Sequence, residues 1–349
     1  MDWLRSPLWH DGFTLFLSIV VQALPFLLLG VLLSGLIAVF VDETQLTRWL
    51  PRGKWQSSAL GGALGFFFPV CECGNLPVAR RLVSKGVPPH VAIAFLLAAP
   101  VFNPVVIVAT WIAFKSMPEM VIYRVGLSFL IAVVVGWIFS FQRDDQEILH
   151  ASVLREREAL RTPAGSGFLQ RGTFLLPPKE STVSAGGAIT LVVAADVYRE
   201  AVVQPMALAQ TLGLWARLDQ LVGIWSRELR ELGSVLVMGA AIAALIQTLV
   251  PRSVLLDYGQ GPVISVVVML LMAAVVSICS TVDAFFALAF VSTFTPGSLL
   301  AFLVFGPMID LKAIGLMLTL FKPKAIIYTI LLTLQMTLLA SLAFNFFGI

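Results

Sequence analysis

Long uncharged apolar stretches are the feature of this sequence that most limits how the chain can fold. Residues 13–41 form a run of 29 without a charge, and residues 91–114 form another of 24. A helix needs about 20 mainly apolar residues to cross a bilayer, because a backbone in lipid must satisfy its own hydrogen bonds. Further uncharged runs lie at 125–141, 232–250, 262–282, 284–309 and 325–349. The pattern predicts an all-α polytopic membrane protein.

The composition excludes several other classes of protein. Only 12% of the 349 residues are charged, whereas soluble domains average about 25%. The mean hydropathy is +0.93, which argues against a soluble enzyme, a disordered protein or a nucleic-acid binder. The net charge of +3 is too small for a polyanion-binding surface. Three cysteines are too few for a disulfide scaffold.

Residues 57–85 form a segment that is too short and too charged for an ordinary span. Its first part, residues 57–71, has only 15 uncharged residues, and its second part carries Arg80, Arg81 and Lys85. Such charges make a lipid-facing span very costly. We therefore expect a re-entrant helical hairpin, in which two half-helices meet near mid-membrane at residues 71–75. Broken backbone at that depth must be buried in protein or line a cavity.

The two halves of the chain share an ordered series of polar residues and prolines. The aligned pairs are Cys71 with Cys279, Asn75 with Asp283, Pro88 with Pro296, Pro100 with Pro307, and Asn103 with Asp310. Each half then has three full transmembrane helices and one re-entrant hairpin. Because the number of crossings is odd, the halves are expected to be two inverted structural repeats, the arrangement of many secondary transporters.

The charged segment 142–231 is expected to be a cytoplasmic or interfacial linker between the first membrane repeat, 1–141, and the second, 232–349. Its end mixes tryptophan and arginine, as helices that lie on a membrane surface do. With the linker cytoplasmic, the remaining basic residues at span ends favour the cytoplasmic face by eight to four. The four on the outer face would be Arg5, Lys115, Arg124 and Arg252.

Polar residues at the hairpin tips and helix breaks are the candidates for function. Thiolate ligands favour soft metals and trivalent metalloids, and ionisable groups inside a membrane are costly and hence functional candidates. The candidate substrate-binding residues are Cys71, Glu72, Cys73, Asn75, Asn103, Cys279, Asp283 and Asp310. Of these, Asp283 and Asp310 are also candidates for proton coupling. The candidate hinges or helix breaks are Pro69, Pro77, Pro100, Pro104 and Pro307.

Each of these features has a structural alternative. The cysteines could be small residues that ease helix packing. Lys312 could interact with Asp310 if the helix is irregular there, or could extend toward the cytoplasmic face. Arg80 and Arg81 could attract an anion, although anchoring in the lipid headgroups is the favoured interpretation.

Several stretches between residues 68 and 105 resemble a known family. CECGNLPVARRLV, GVPPHVAIAFLLAAP and VFNP are similar to the predicted bacterial permease family that includes organoarsenical efflux permeases. SICSTVDAF and FGPMID in the second half resemble the same family's repeated motif. The family's hairpin tip usually reads Cys-Ser-Cys-Gly, whereas Glu72 stands here in place of the serine. The resemblance covers the membrane segments but not the linker, and it implies a permease without specifying its cargo.

The sequence therefore predicts a multi-pass secondary transporter of the bacterial inner membrane, and not an enzyme. It would move a small solute, either a soft metalloid or organoarsenical or a small anion, through a central site between the repeats. The expected partners are this solute and membrane lipid, a homo-oligomer is allowed, and no nucleic acid, cofactor or resident metal is expected. The alternatives are a thiol-redox protein that uses Cys71 and Cys73, a passive channel, or a structural membrane subunit.

Overall fold

The computed structural model describes residues 7–40, 50–51, 53–67, 72–142, 144–161, 214–249, 261–276, 279–280, 282–291 and 293–347. These residues form helices and turns, and an isolated β-bridge pairs Leu149 with Phe321. We number the helices along the chain. Those before the linker are α1 (Pro7–Phe40), α2 (Lys54–Phe67), α3 (Glu72–Ser84), α4 (Pro89–Ala98), α5 (Pro104–Ala113) and α6 (Glu119–Phe139).

Two short helices, α7 (Asp145–Ile148) and α8 (Ala151–Arg161), follow α6 at the start of the linker. The helices of the second half are α9 (Leu214–Leu249), α10 (Ile264–Val276), α11 (Asp283–Leu288), α12 (Pro296–Met308), α13 (Leu311–Met317) and α14 (Pro323–Phe347). The order of long, short and interrupted helices is therefore similar in the two halves.

Four segments of the described chain are long and apolar enough to cross a membrane. They are Gly12–Leu36, Glu119–Phe139, Pro296–Met317 and Pro323–Phe347. The first and last of these leave most of their apolar side chains on the outside of the protein, whereas most of Pro296–Met317 is buried inside it. The exposed apolar faces fit a lipid environment, and the fold is that of a polytopic all-α membrane protein.

The helices pack in two groups that have the same internal arrangement. In the first half α4 lies against both α2 and α6, and in the second half α12 lies against both α10 and α14. Helix α1 packs along α9 and α3, and α6 contacts α12 and α14. Contacts also cross between the halves, since α3 touches α13 and α11 touches α5.

Glycine allows the closest approaches among α2, α4 and α6. A methyl group on Gly61 would lie 2.5 Å from the Val91 carbonyl oxygen, and one on Gly65 would lie 2.6 Å from the Ala99 Cα. A methyl group on Gly136 of α6 would lie 2.8 Å from the Ala94 Cβ. Small residues are common at helix contacts in membranes, because close backbone packing replaces the hydrophobic driving force available in water.

Three expectations from the sequence require correction. Helix α3 runs through Pro77 without interruption, so Pro77 is not a helix break. Residues 214–231 form the first half of the 36-residue helix α9, where we expected a separate surface helix. Arg124, counted among the outer basic residues, lies inside α6 and is fully buried. Outside the linker, eight basic residues are therefore expected on the cytoplasmic face and three, not four, on the outer face.

Candidate functional site

Part of the expected tip of the first hairpin lies outside the described residues. Cys71 and Pro69 lie outside the described residues, as do the side chains of Glu72 and Cys73, whose backbone begins α3. Asn75, in the first turn of α3, is fully buried. The backbone of α3 at Gly74 lies so close to Gly30 of α1 that a Cβ at position 30 would collide with the Gly74 carbonyl oxygen.

Asn103 and Asp310 both cap the helix that follows a break. The Asn103 side chain accepts a hydrogen bond from the Val105 N–H at 2.9 Å, at the start of α5. The Asp310 side chain accepts one from the Ala313 N–H at 2.6 Å, at the start of α13. Both residues are buried. The two matching sequence positions therefore have a structural role as N-caps, which the residue types and the helices that follow them could have indicated.

The prolines near these caps lie at or beside the breaks. Pro100 lies between α4 and α5, and Pro104 is the first residue of α5. Pro307 is the penultimate residue of α12, after which Ile309 and the cap at Asp310 take extended backbone angles. A proline lacks an N–H and cannot complete the regular helix ladder, so the interruption occurs in the same place in both halves.

Lys312 is buried and lies near the Asp310 carboxylate. Its Nζ atom is 3.4 Å from Asp310 Oδ2, and both side chains are almost completely covered by protein. Lys312 thus does not extend to the membrane surface. Asp310 and Lys312 can interact because the backbone is extended at Asp310. This is the irregularity in the helix that the sequence analysis required for the pair.

A second buried ion pair joins the two halves of the chain. Arg124 of α6 donates from Nη2 to Asp283 Oδ2 at 2.6 Å, and the two side chains are 0% and 3% exposed. Arg124 also donates from Nη1 to Thr110 Oγ1 at 2.8 Å and from Nη2 to the Ser280 carbonyl oxygen at 3.2 Å. The guanidinium therefore connects α5 and α6 of the first half with Ser280 and with Asp283 at the start of α11. Cys279, also buried, precedes Ser280 in the chain.

The sequence marks Asp283 as a candidate but not Arg124, because the uncharged run that predicts this span begins at residue 125 and leaves Arg124 just outside it. Residues 120–141 contain no other charge, so a span beginning at Glu119 would have placed Arg124 inside the membrane and marked it as a candidate. Its partner lies 159 residues further along the chain, and no local pattern in the sequence indicates that pairing.

Arg80 and Arg81 belong to a separate cluster of ion pairs. Arg81 contacts Glu228 of α9 at 2.5 Å and Glu156 of α8 at 2.9 Å. Arg80 contacts Glu231 at 2.8 Å. The two arginines thus hold the end of α3 to the linker helix and to α9, and these contacts replace the expected insertion into lipid headgroups.

Comparisons with known proteins assign the family. A family model described as a predicted permease matches residues 8–346. The chain belongs to this predicted permease family. The UPF0718 protein YcgR of Bacillus subtilis (strain 168) is 37% identical over 329 residues, which cover 94% of this chain and 95% of that protein. A Streptococcus mutans protein named as a putative two-component membrane permease complex subunit is 31% identical over 315 residues, 90% of this chain and 88% of its own.

No solved structure matches the chain. The family and the four apolar spans together make this protein a multi-pass membrane permease. They confirm the resemblance seen in the sequence and the assignment to the membrane. They give no support to the thiol-redox alternative.

Proposed function

We propose that this permease is a secondary transporter built from two inverted repeats, each with one re-entrant hairpin. The observation that carries the proposal is the position of the hairpin ends relative to α6 and α14.

Both ends of the first hairpin lie at the level of the end of α6. At its start, the Lys54 ammonium is 4.5 Å from the centre of the Phe141 ring, and the rings of Trp55 and Trp137 are 5.7 Å apart. After its second arm, the Gly86 carbonyl accepts a hydrogen bond from Arg157 of the linker helix α8. These contacts support an entry and an exit on the same face of the membrane.

The end of α2, which leads into the proposed tip of the first hairpin, lies near the middle of α6. Phe66, near the end of α2, is 5.6 Å from Phe102, which in turn is 5.0 Å from Phe129, midway along α6. Helices α2 and α3 have 14 and 13 residues, or about 20 Å each at 1.5 Å per residue. Neither can cross a hydrocarbon core of about 30 Å alone.

The second hairpin opens at the C-terminal end of α14. Asn345 donates to the Pro262 carbonyl at 3.0 Å, before α10, and accepts from the Gly297 N–H at 2.9 Å, after α11. Tyr123, near the start of α6, lies 4.9 Å from Phe344 of α14, ring centre to ring centre. The start of α14 lies by the end of α6, since the Lys322 N–H donates to the Ile148 carbonyl. Helices α6 and α14 are therefore antiparallel, which supports hairpins that open on opposite faces.

The solute is proposed to bind where each hairpin meets the broken helix of the other half. The contacts of α11 with α5 and of α3 with α13 bring these elements together. Asp283 begins α11, which contacts α5, and Asn75 belongs to α3, which contacts α13. Rocking of one repeat against the other would then expose this region to each face in turn.

The proposed cargo is a small solute, either a soft metalloid or organoarsenical bound by Cys71 and Cys73 or a small anion. Asp283 and Asp310 are the proposed carriers of the coupling proton, because each is a buried carboxylate next to a buried cation. Protonation of either carboxylate would weaken its ion pair, and protonation of Asp283 would also release α11 from Arg124 of α6. A relative is named as a complex subunit, so we also propose that a second subunit assists transport.

Flux into proteoliposomes tests this proposal. The probes are a trivalent phenylarsenical, arsenite, inorganic phosphate and sulfate, with an internal pH dye to report proton movement. We expect Asp283→Asn and Asp310→Asn to abolish proton movement coupled to the transported probe. Glu119→Gln, which changes an exposed carboxylate at the start of α6, is the matched control and should leave coupling intact. Coupled flux that persists in both aspartate variants would contradict the proposal.

A further inference from the structure

Several buried polar atoms around Arg124 lack a hydrogen-bond partner in the described part of the chain. Arg124 Nε, Ser128 Oγ and Ser280 Oγ are buried, and none of the three has a hydrogen-bond partner among the described residues. Ser128 lies one helical turn beyond Arg124 on the same face of α6, and Ser280 already contacts Arg124 through its carbonyl. Buried polar groups in proteins are normally hydrogen-bonded, so three together indicate a site for a polar ligand.

The chemistry of these atoms selects an anion. The guanidinium Nε–H can only donate a hydrogen bond, and the two serine hydroxyls can each donate one. A flat guanidinium with hydroxyls beside it matches the oxygens of a carboxylate, phosphate or sulfate. The Thr110 hydroxyl hydrogen is already given to the Val106 carbonyl, so its oxygen serves only to orient Arg124.

Asp283 supplies an anion to this site from within the protein. Its carboxylate accepts a hydrogen bond from Arg124 Nη2 at 2.6 Å, on the guanidinium that an external oxyanion would use. We propose that Arg124, Ser128 and Ser280 form the binding site for a small oxyanion substrate, and that the Asp283 carboxylate occupies this site until the substrate displaces it. The inference rests on the proposed transport function and names its substrate class as anionic rather than soft and thiol-bound.

Competition within the protein keeps the central arginine neutralised in both states. When the oxyanion leaves, Asp283 returns to Arg124, so no uncompensated charge stays in the membrane interior, where it would be very costly. When the oxyanion binds, Asp283 is released from the arginine and takes up the coupling proton, so its carboxyl is neutral and α11 loses its ion pair to Arg124. The same exchange therefore links occupation of the site to movement between the two halves.

Thermal unfolding in lipid nanodiscs tests the inference. Acetate, inorganic phosphate and sulfate are the probes, titrated at constant ionic strength with chloride as the reference anion. Asp283→Asn removes the internal competitor, so at least one probe should stabilise this variant at a concentration about tenfold below that needed by the wild type. Adding Ser280→Ala or Ser128→Ala should raise that concentration about threefold to tenfold, because each removes one donor.

The double variant Arg124→Gln/Asp283→Asn is the control, since it removes the site and leaves no unpaired charge. It should show no stabilisation by any probe beyond that of chloride. The proposal is overturned if Asp283→Asn responds no more strongly than this double variant. If Asp283→Asn does not fold, the wild type is compared with the double variant, and equal responses of these two overturn the proposal.

The test separates this inference from the transport function. Proton-coupled flux that depends on Asp283, without oxyanion binding that depends on Arg124, would retain the transporter and reject the anionic substrate. Oxyanion binding at Arg124 without any coupled flux would retain the site and reject the proposed transport mechanism.

Discussion

The ion pair between Arg124 and Asp283 predicts a large and strongly non-additive effect on stability. Asp283→Asn leaves the Arg124 guanidinium buried without its counter-charge, and Arg124→Gln does the same to the carboxylate. Charge centres about 4 Å apart attract by about 4 kcal/mol at an effective dielectric constant of about 20. Loss of one member of a buried pair costs about 3–5 kcal/mol, because the remaining charge has been removed from water without compensation.

The double variant Arg124→Gln/Asp283→Asn should be much less destabilised than the sum of the two single variants. It removes both charges together, so neither is left buried without its partner. We expect a coupling free energy of about 2 kcal/mol or more between the two positions, which is within the range for residues in direct contact.

Equilibrium unfolding in bicelles, followed by tryptophan fluorescence, would measure these free energies. The chain has 8 tryptophans, which provide the signal. Glu119→Gln is the control, because this carboxylate is exposed at the end of the same helix. Single-variant costs below about 1 kcal/mol that simply add in the double variant would show that the pair is not buried as described.

Three further changes of stability follow from the packing and can be measured by the same unfolding experiment. Gly30→Ala should destabilise the protein by about 1–3 kcal/mol because its Cβ would collide with the backbone of α3, whereas Gly126→Ala, with no atom within 4 Å, should be neutral or slightly stabilising. Arg81→Gln should cost about 3 kcal/mol since its partners are mostly buried, and Arg80→Gln about 1 kcal/mol because Glu231 is 45% exposed; equal costs would contradict the assigned partners. Asn103→Ala should cost about 1 kcal/mol through loss of the α5 cap, and Asn103→Ser, a neutral capping residue, should restore most of it.

The sequence predicted local features of the fold well. Uncharged runs located the membrane segments because apolar length is a requirement of the bilayer itself. The prolines at 100 and 307 marked the breaks because a missing N–H interrupts a helix at that position. Pro77 was assigned a break that does not occur, since α3 runs through it.

A site residue could be predicted from the sequence only where its type and its immediate neighbours were enough to mark it. Asp283 was identified because a carboxylate in an apolar run is costly. The pairing of Asp283 with Arg124 depends on how the second hairpin packs against α5 and α6, and this tertiary contact leaves no local signal in either segment. Arg81 was similarly taken for a headgroup anchor because Glu156 and Glu228 are 75 and 147 residues away in the chain.

The central claim is that each hairpin enters and leaves the membrane on one face, and that the two hairpins use opposite faces. The most direct test is labelling of single cysteines by an impermeant maleimide in intact cells and in inverted vesicles. The background carries serine in place of the native cysteines, and the introduced changes are Gly53→Cys, Pro88→Cys, Val263→Cys and Thr293→Cys. We expect cysteines at 53 and 88 to react only from the cytoplasmic face, and those at 263 and 293 only from the outer face. Reaction at 53 and 88 from opposite faces would contradict the hairpin and the inverted repeats together.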